Sequence, residues 1–489
     1  MKNIAIGLGA VVIGLVAILA VRTAAIGGGE AGAGGATEDV DEARAREIAE
    51  HLGEAIRIQT ISFGDLRGYD SAAYAAFHAF LETRYPAAHA AMERETVNEH
   101  SLLYRWPGSG DGAPVLFMAH MDVVPVPTGG EGAWEQEPWS GAIADGAVWG
   151  RGALDDKASL IALMEAADAL AADGFSPSRD VYFAFGHDEE IGGDDGAGAI
   201  AALLKDRGVR LAWALDEGSA MVTGYLADKE RPAAIVSVAE KGYVSLQLTA
   251  TGAPGHSSAP TDDLAVASLA RALAALSDDP YPMKLKGPAE DMFKALAPYM
   301  PLGQRAAIAN LWLAGPLVKA SLGKEPPVAA MMRTTTAPTM LRAGTKDNVL
   351  PQTASAVVNF RIHPRDSVDG VIARTQKIVG EDIEISIWLD EATEPSPVSS
   401  TDTDGYRAIM DATRAVYGGD VVFAPGLTIG GTDAKHYAEV AEASYRYLPM
   451  IYRPGDTARL HGVNERIVVD DLYRMTRVYE EMIADVAGG

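Results

Sequence analysis

The stretch from Pro114 to Asp122, PVLFMAHMD, decides the fold, because a short apolar run passes directly into a histidine and an acid. The run is too short for a helix and is typical of a buried strand. Two later runs of the same kind, 181–185 (VYFAF) and 211–215 (LAWAL), lead into GHDEE and DEG. Helical patterns at 156–172 and 196–205 separate the three runs. Strands that alternate with helices predict an α/β domain with a mostly parallel sheet.

The order of predicted elements changes after residue 240. It runs strand, helix, strand, strand, helix, strand at 243–250, 263–276, 339–342, 354–362, 368–379 and 383–389. This β-α-β-β-α-β order is the ferredoxin-like arrangement. We therefore predict a smaller domain at 240–395, inserted in a catalytic domain formed by 38–239 and 396–489. A Pro-rich apolar insertion at about 280–332 is expected to pack as helices on the inserted domain. The alternatives are that it extends a dimer interface, covers an acyl-binding groove or touches a membrane.

The N-terminus is predicted to be a separate unit. Residues 4–21 carry no charge and are mostly aliphatic, and a helix of this length would be roughly 27 Å long, close to the thickness of a bilayer core. We therefore predict that residues 1–28 form a membrane anchor or, as the alternative, a cleavable signal, followed by a flexible linker at 29–37. The catalytic body is then expected outside the cytoplasm, periplasmic or extracellular, and secreted if the segment is cleaved.

The composition excludes several classes of protein. Lys and Arg number 41 against 67 Asp and Glu, and the net charge of −26 argues against nucleic acid as a partner. A hydrophobic fraction of 48% excludes wholesale disorder. The absence of Cys excludes thiol nucleophiles and thiolate metal sites. Any bound metal must therefore be held by His, Asp and Glu.

The three predicted strands all lead into potential metal ligands. Ligand sites of open α/β sheets lie beyond the carboxyl ends of the strands, and a Gly-rich turn with paired acids, GRGALDDK at 150–157, lies between the first two. Imidazole and carboxylate ligands suit Zn, Mn or Co, and a surplus of carboxylates suits two ions that share one ligand. Metal-assisted hydrolysis also needs a carboxylate to take a proton from water. Glu189 and Glu190 could divide these roles, and their spacing does not assign which is which.

Seven strings between about residue 40 and the C-terminus carry a resemblance to a known family. They are AHMDVVP, WGRGALDDK, GHDEEIGG, ALDEG, GAPGHSSAP, NVLP and LHGVNER. They resemble the dinuclear zinc peptidase family of aminoacylase, carboxypeptidase S and glutamate carboxypeptidase. EPWSGAIADGAVWGRGALDDK and RLHGVNERI are most similar to the branch of carboxypeptidase S and the secreted N-acyl-amino-acid hydrolases. The resemblance implies two zinc ions, with Mn or Co as alternatives.

The resemblance also implies the metal ligands. Asp155 would bridge the two ions. His120 and Asp216 would complete one site, and Glu190 and His461 the other. The peptide bond after the bridging acid, Asp155–Asp156, is expected to be cis.

The resemblance further implies three catalytic residues. Glu189 would act as the general acid/base, and Asp122 would orient the imidazole of His120. The inserted domain would be the lid or dimerisation domain of the family, so a homodimer is expected. His256 of this domain would stabilise the oxyanion, commonly in the site of the partner subunit.

The substrate carboxylate is expected to meet five residues of the chain. Asn348 and Arg361 resemble the pair that holds the substrate near its free carboxylate, a task suited to a planar guanidinium. The loop of Gly430, Gly431 and Thr432 would present backbone N–H groups to the same carboxylate. Three further histidines are predicted to be structural: His187, His363 and His436.

The sequence thus predicts a metal-dependent exopeptidase or amidohydrolase that cleaves an amide bond beside a free α-carboxylate. The substrate would be a peptide C-terminus or an N-acyl amino acid. One alternative is a dipeptidase of the same family. Another, from a different class, is a catalytically silent, membrane-anchored binding protein, although the chain keeps every expected ligand. Metal analysis of the purified protein separates an enzyme from such a scaffold.

Overall fold

The computed structural model describes residues 15–27, 37–64, 68–127, 129–453 and 455–487. The helices are α1 (15–26), α2 (Glu42–Arg57), α3 (Ser71–Arg84), α4 (Pro86–Ala91), α5 (Lys157–Ala172), α6 (Ala199–Asp206), α7 (Ala265–Asp278), α8 (Pro288–Leu296), α9 (Leu302–Ala309), α10 (Leu311–Leu322), α11 (Pro326–Met331), α12 (Val368–Val379), α13 (Asp404–Tyr417) and α14 (Val469–Ala487). The strands are β1 (Glu93–Val97), β2 (Ser101–Trp106), β3 (Gly112–His120), β4 (Ala142–Ala144), β5 (Ala147–Trp149), β6 (Arg179–Gly186), β7 (Trp213–Val222), β8 (Ala233–Glu240), β9 (Gly242–Thr251), β10 (Gly255–His256), β11 (Thr335–Ala343), β12 (Val349–Leu350), β13 (Thr353–Ile362), β14 (Ile383–Thr393), β15 (Val422–Thr428), β16 (Ser444–Tyr452) and β17 (Arg466–Val468).

The catalytic sheet has eight strands in the order β1-β2-β6-β3-β7-β16-β8-β15. Its centre is parallel, since β3 pairs in parallel with β6 and β7, and β16 pairs in parallel with β7. Phe117 and Leu215 pack against α5, α13 and α14 on one face, whereas Leu116 and Ala214 pack against α6 on the other. Burial on both faces explains why these strands are almost continuously apolar. The predicted α/β class with a mostly parallel sheet is confirmed.

Strand β7 differs from its predicted position. The apolar run suggested a strand at 211–215, but β7 begins at Trp213 and continues to Val222. The residues Asp216 and Glu217 therefore lie inside the strand rather than beyond its end. Successive side chains of a strand point to opposite faces, so these two acids face in different directions.

The inserted domain has its own antiparallel sheet, in the order β11-β13-β9-β14. With α7 and α12, its strands follow the predicted β-α-β-β-α-β order along the chain. Its core contains Leu246, Leu269, Val358 and Val371. The chain passes from β8 to β9 at Lys241, and on its return Ser396 donates a backbone hydrogen bond of 3.2 Å to Glu240. The two segments that connect the domains are thus joined by a backbone hydrogen bond.

The insertion forms helices α8 to α11, and it packs on the catalytic sheet. Met292, Phe293 and Leu296 of α8 are buried with Val422 and Ala424 of β15. Strand β15 is the edge of the sheet, and an uncovered edge of this kind would offer unpaired backbone groups and apolar surface. The insertion is helical as predicted, but α8 packs on β15 of the catalytic sheet rather than on the inserted domain.

Helix α1 contains the last seven residues of the uncharged stretch 4–21 and lies against the insertion. Asn310 donates to the backbone oxygen of Leu19 (3.4 Å), and Arg22 donates to that of Ala309 (3.1 Å). Across the part of the chain that the structure describes, no helix combines the length and the apolar character needed to span a membrane. Residues 1–14 and 28 of the predicted N-terminal segment, and residues 29–36 of the predicted linker, lie outside the described residues.

Candidate metal centre

The ends of β3 and β6 bring a histidine and two glutamates together. His120 is the last residue of β3 and is buried, while Glu189 and Glu190 lie in a short 3-10 turn after β6. The carboxylate of Asp122 accepts a hydrogen bond from the backbone N–H of each glutamate, both at 3.2 Å. One of its oxygens also lies 3.3 Å from Nδ1 of His120. Asp122 therefore contacts both the imidazole, which it was predicted to orient, and the turn, for which no role of Asp122 was predicted.

Asp155 lies between two histidines. Its Oδ1 is 3.0 Å from Nε2 of His120, and its Oδ2 is 3.1 Å from Nε2 of His461. The same nitrogen of His461 is 3.0 Å from Oε2 of Glu190. One oxygen toward each histidine is the arrangement of a carboxylate that bridges two cations. The peptide bond Asp155–Asp156 is cis, as expected.

The third carboxylate of the site beside His120 is Glu217, which corrects the prediction of Asp216. Glu217 Oε1 lies 4.0 Å from Nε2 of His120, and ligand atoms of His120, Glu189 and Glu217 all lie within 4.8 Å of one another. Asp216 instead accepts hydrogen bonds from the backbone N–H of Ala434 (2.6 Å) and Glu217 (3.0 Å). It faces the same side of the sheet as Ala214, which packs with Ala434. The period of two along β7 leaves only Glu217 for the cluster.

Single replacements of the two adjacent acids test this correction. We expect Glu217→Gln to lower the bound metal by about one equivalent, because the amide removes a charged ligand. We expect Asp216→Asn to keep the metal content of the parent protein, since its carboxylate is occupied by backbone N–H groups. Elemental analysis after dialysis against metal-free buffer measures both. Loss of metal in Asp216→Asn but not in Glu217→Gln would restore the original assignment.

The donor set fits divalent cations. Two overlapping groups, His120-Asp155-Glu190 and His120-Glu189-Glu217, offer imidazole nitrogens and carboxylate oxygens. Burial, together with the neighbouring carboxylates, raises the pKa of Glu189, Glu190 and Glu217. Hydrogen bonds to Asp155 and Glu190 raise the pKa of His461 to about 10. Buried carboxylates so close together repel one another, and bound cations would neutralise them.

A buried ion pair, which the sequence analysis missed, joins the two loops that carry Asp155 and His461. Arg151 pairs with Glu465, and both side chains are buried. Arg151 also donates to the backbone oxygens of His461 (3.1 Å) and Gly462 (3.2 Å). The other oxygen of Glu465 accepts from backbone N–H groups at 2.9, 2.9 and 3.2 Å, those of Gly152, Leu154 and Asp155. Arg151 and Glu465 lie in the strings GRG and NER, close in sequence to Asp155 and His461, but neither string indicates that the two residues form a pair.

The predicted substrate residues of the inserted domain lie on its strands and turns. His256 is exposed in β10, its Nδ1 lies 2.8 Å from Oγ of Ser258, and β10 pairs with β12 beside Asn348. The side-chain oxygen of Asn348 is buried and lacks a hydrogen-bond partner within the described ranges. Arg361 stacks over Tyr243 at 4.9 Å. No hydrogen bond or ion pair joins them to the metal ligands across the described residues, so their roles stay predictions.

The Gly-rich loop at 430–432 is fixed to strand β8 through hydrogen bonds from Thr432 to Glu240. Thr432 donates through its backbone N–H (3.0 Å) and its hydroxyl (2.9 Å) to the carboxylate of Glu240, which lies 3.4 Å from Nε of Arg446. Gly430 and Gly431 have open space where a side chain would stand. The threonine is therefore a positioning residue, and the two glycines leave room for a ligand to approach the backbone.

The three histidines predicted to be structural all contact protein groups. Nδ1 of His187 lies 2.7 Å from the hydroxyl of Ser101, and burial lowers the pKa of His187 to about 4. Nε2 of His436 lies 3.0 Å from the backbone oxygen of Gly192, and His363 accepts from the backbone N–H of Arg365 at 3.2 Å. None belongs to a metal-binding group found among the described residues.

Comparison with solved structures shows the same fold. A metallo-carboxypeptidase of the M20 family, Sso-CP2 from Sulfolobus solfataricus, superposes with a TM-score of 0.63 at 17% identity, over 89% of this chain and 98% of that one. Human carnosine dipeptidase 1 superposes with a TM-score of 0.62 at 15% identity, over 96% and 98% of the two chains.

Sequence comparison identifies the family. N-fatty-acyl-amino acid synthase/hydrolase PM20D1 of Mus musculus is 37% identical over 89% of this chain and 87% of its own length. Probable carboxypeptidase S-like 2 of Dictyostelium discoideum is 35% identical over 89% and 84%. Both come from the branch that the motifs predicted. Residues 116–485 match the profile of the family described as Peptidase family M20/M25/M40, so this chain belongs to that family and is a metal-dependent hydrolase of amide bonds.

Proposed function

We propose that this protein hydrolyses N-acyl amino acids beside their free α-carboxylate, with two zinc ions held by the cluster around Asp155. The observation that carries amide hydrolysis is the position of Asp155, which presents one oxygen to His120 and the other to His461. The acyl substrate is supported by the similarity to the N-fatty-acyl-amino acid synthase/hydrolases. A peptide substrate is the second candidate, supported by the similarity to carboxypeptidase S of Saccharomyces cerevisiae, 29% identical.

The cluster divides into two sets of ligands that share Asp155. His120 and Glu217 would complete one set, and Glu190 and His461 the other. Two cations, when bound, polarise the scissile carbonyl and make water a stronger nucleophile at neutral pH. The protein's own contribution is to fix the ligands, through Asp122 and the Arg151–Glu465 pair.

Glu189 is placed to move the proton. One of its oxygens lies 4.0 Å from Nε2 of His120, and its carboxylate accepts no hydrogen bond from the protein within the described ranges. It takes a proton from the attacking water as the water oxygen bonds to the carbonyl carbon. It then delivers that proton to the nitrogen as the carbon–nitrogen bond breaks, which yields a carboxylic acid and the free amino acid. Burial raises the pKa of Glu189, which helps it to hold the proton between the two steps.

A comparison of two substrates with and without chelator tests the proposed function. We expect zinc-loaded protein to hydrolyse a long-chain N-acyl phenylalanine faster than an N-blocked dipeptide, and we expect chelator to stop both reactions. Zinc should restore them better than Mn or Co. Preference for the dipeptide would make the protein a carboxypeptidase. No hydrolysis of either substrate, with no stoichiometric metal, would favour the binding protein instead.

Arg361→Ala tests the anchoring of the substrate carboxylate. The guanidinium is fixed over Tyr243, and a charge-assisted pair with a carboxylate contributes roughly 1.5–3 kcal/mol. We therefore expect KM to rise about tenfold or more, with kcat little changed. Steady-state kinetics on acids and on their methyl esters measures the effect. If the parent enzyme cleaves the esters as well as the acids, the carboxylate is not recognised at all.

Dimerisation through the inserted domain is part of the proposal, because His256 is exposed in the single chain. Light scattering on the intact protein measures the mass. We expect twice the chain mass of 51.4 kDa. A monomer with full activity would remove the partner's histidine from the reaction.

The catalytic body is proposed to be exported and held at a membrane by the N-terminal segment. The support is the uncharged stretch at 4–21, with Lys2 before it and Arg22 after it. Cell fractionation of the full chain and of a variant lacking 1–28 tests this location. Equal amounts of both in the cytoplasm would exclude export through this segment.

A further inference from the structure

Two helices of this protein are apolar on both of their faces. On α10, Leu311, Val318 and Leu322 pack inward, whereas Trp312 and Leu317 on the opposite side are 55% and 75% exposed. On α1, Ile26 packs with the insertion, while Val16 and Val21 are exposed. A helix that is apolar all round is normally buried in protein or in lipid. The outer apolar faces of α1 and α10 are therefore exposed where a helix of this composition would normally be buried.

These exposed side chains are concentrated in one part of the molecule. The described residues contain 18 exposed large apolar side chains, and seven of them lie in the 37 residues of 15–27 and 301–324. The seven are Val16, Ile18, Val21, Leu302, Trp312, Leu313 and Leu317. Helices α1 and α9 also flank an open groove of about 580 Å³, lined by Val16, Leu19 and Leu302. We call these two ranges the apolar platform. Scattered apolar side chains are ordinary, but a cluster of this kind marks a binding surface.

The charge of the platform is opposite to that of the rest of the chain. Residues 15–27 and 301–324 contain no acid and four bases, Arg22, Arg305, Lys319 and Lys324, in a chain of net charge −26. Neither Lys319 nor Lys324 forms an ion pair with any residue that the structure describes. An acidic protein is repelled by an anionic membrane everywhere except at such a face. Apolar side chains with neighbouring bases and an exposed Trp are the chemistry of a helix lying in a membrane interface.

The platform also continues toward the uncharged N-terminal stretch of the sequence. Residue 15, the first residue that the structure describes, is already helical, and residues 4–14 of the sequence carry no charge. Arg305 donates to the backbone oxygen of Gly27 at 2.7 Å, so the end of α1 is fixed to α9. A segment that enters lipid ahead of residue 15 would therefore bring α9 and α10 to the same surface.

We propose that the apolar platform, formed by α1, α9 and α10, docks on the surface of a lipid bilayer that contains anionic headgroups. This docking lies outside the metal centre and does not depend on which substrate the enzyme cleaves. It orients the molecule, because a face without acids meets the lipid. It also gives the insertion a task beyond covering the edge strand β15.

Vesicle binding by the full chain tests the docking surface. The variant Trp312→Ser, Leu313→Ser, Leu317→Ser removes the outer apolar face of α10. A matched control, Tyr225→Ser, Leu389→Ser, Val398→Ser, removes exposed apolar side chains elsewhere. With vesicles of phosphatidylcholine and phosphatidylglycerol, we expect the platform variant to bind at least about tenfold more weakly than the parent. The control should bind like the parent, and both variants should keep the parent's thermal midpoint and hydrolytic rate.

A separate variant tests the attraction between the lysines of the platform and anionic headgroups. Lys319→Glu with Lys324→Glu should weaken binding to the anionic vesicles about tenfold, with little effect on pure phosphatidylcholine. Lys346→Glu with Lys377→Glu, on the inserted domain, is the control of equal charge. Brominated acyl chains should quench part of the tryptophan fluorescence, and Trp312→Phe should remove that part.

Three results would overturn the proposal. The first is no vesicle binding by the parent protein. The second is equal binding by the parent and the platform variant, because the N-terminal stretch would then bind lipid alone. The third is a dimer in solution that the platform variant converts to a monomer without any effect on vesicles, because the surface would then join two copies of the chain.

Discussion

Glu189→Gln is expected to retain both metal ions and to lose about a thousandfold in kcat. The amide keeps the size of the side chain but cannot accept the proton of the attacking water, and general acid/base catalysis typically contributes 10²–10⁴-fold. Retention of metal is expected because the two proposed sets of ligands, Asp155 with His120 and Glu217 and Asp155 with Glu190 and His461, do not include Glu189. Elemental analysis and initial rates with an N-acyl amino acid, both on the same preparation, measure the two effects.

Glu190→Gln is the matched control, since it lies one residue away in the same turn. Its carboxylate lies 3.0 Å from His461, so this variant should lose metal as well as activity. If Glu189→Gln lost metal while Glu190→Gln kept it, the roles assigned to the two glutamates would have to be exchanged. Unchanged activity in Glu189→Gln would remove the residue from the mechanism.

Glu465→Gln is expected to be the most destabilising single substitution proposed for this protein. It leaves Arg151 buried without its carboxylate, and breaking a buried pair from one side costs about 3–5 kcal/mol. The amide of Gln keeps a single oxygen, so it cannot accept both from Arg151 and from the three backbone N–H groups of the Asp155 loop. We therefore expect a thermal midpoint lower by roughly 10 °C and a metal affinity lower by about 10–100-fold. Calorimetry and competition with a chelator of known affinity measure them.

Glu480→Gln separates loss of stability from loss of metal. Glu480 is buried and pairs with Arg44 and Arg477, so its replacement also breaks an ion pair from one side. These pairs join α14 to α2 and contact neither metal-binding loop. This variant should unfold at a lower temperature while its metal affinity stays that of the parent. Equal metal affinity in both variants would show that the Arg151–Glu465 pair supports only the fold.

Helices and strands whose formation depends on neighbouring residues were predictable from the sequence. The periodicity at 368–379 coincides with α12, and the apolar run at 114–119 lies within β3. Order along the chain indicated the parallel centre of the catalytic sheet and the β-α-β-β-α-β sheet of the inserted domain. It did not place the other strands of the catalytic sheet, β1, β2, β8, β15 and β16. The motifs also placed His120, Asp155, Glu190 and His461, which the fold brings together.

Only the tertiary structure shows which way a side chain points and which residues distant in sequence form a pair. The choice between Asp216 and Glu217 follows from where β7 starts, and that position is set by the neighbouring strands rather than by the run LAWAL. The pair of Arg151 and Glu465 joins residues 314 positions apart, and no spacing in the sequence indicates such a contact. The sequence by itself thus determined the family, the fold and the chemistry of the ligands. Only the folded chain fixed which acid faces the metals and what holds the ligand loops, because those contacts form between segments far apart in sequence.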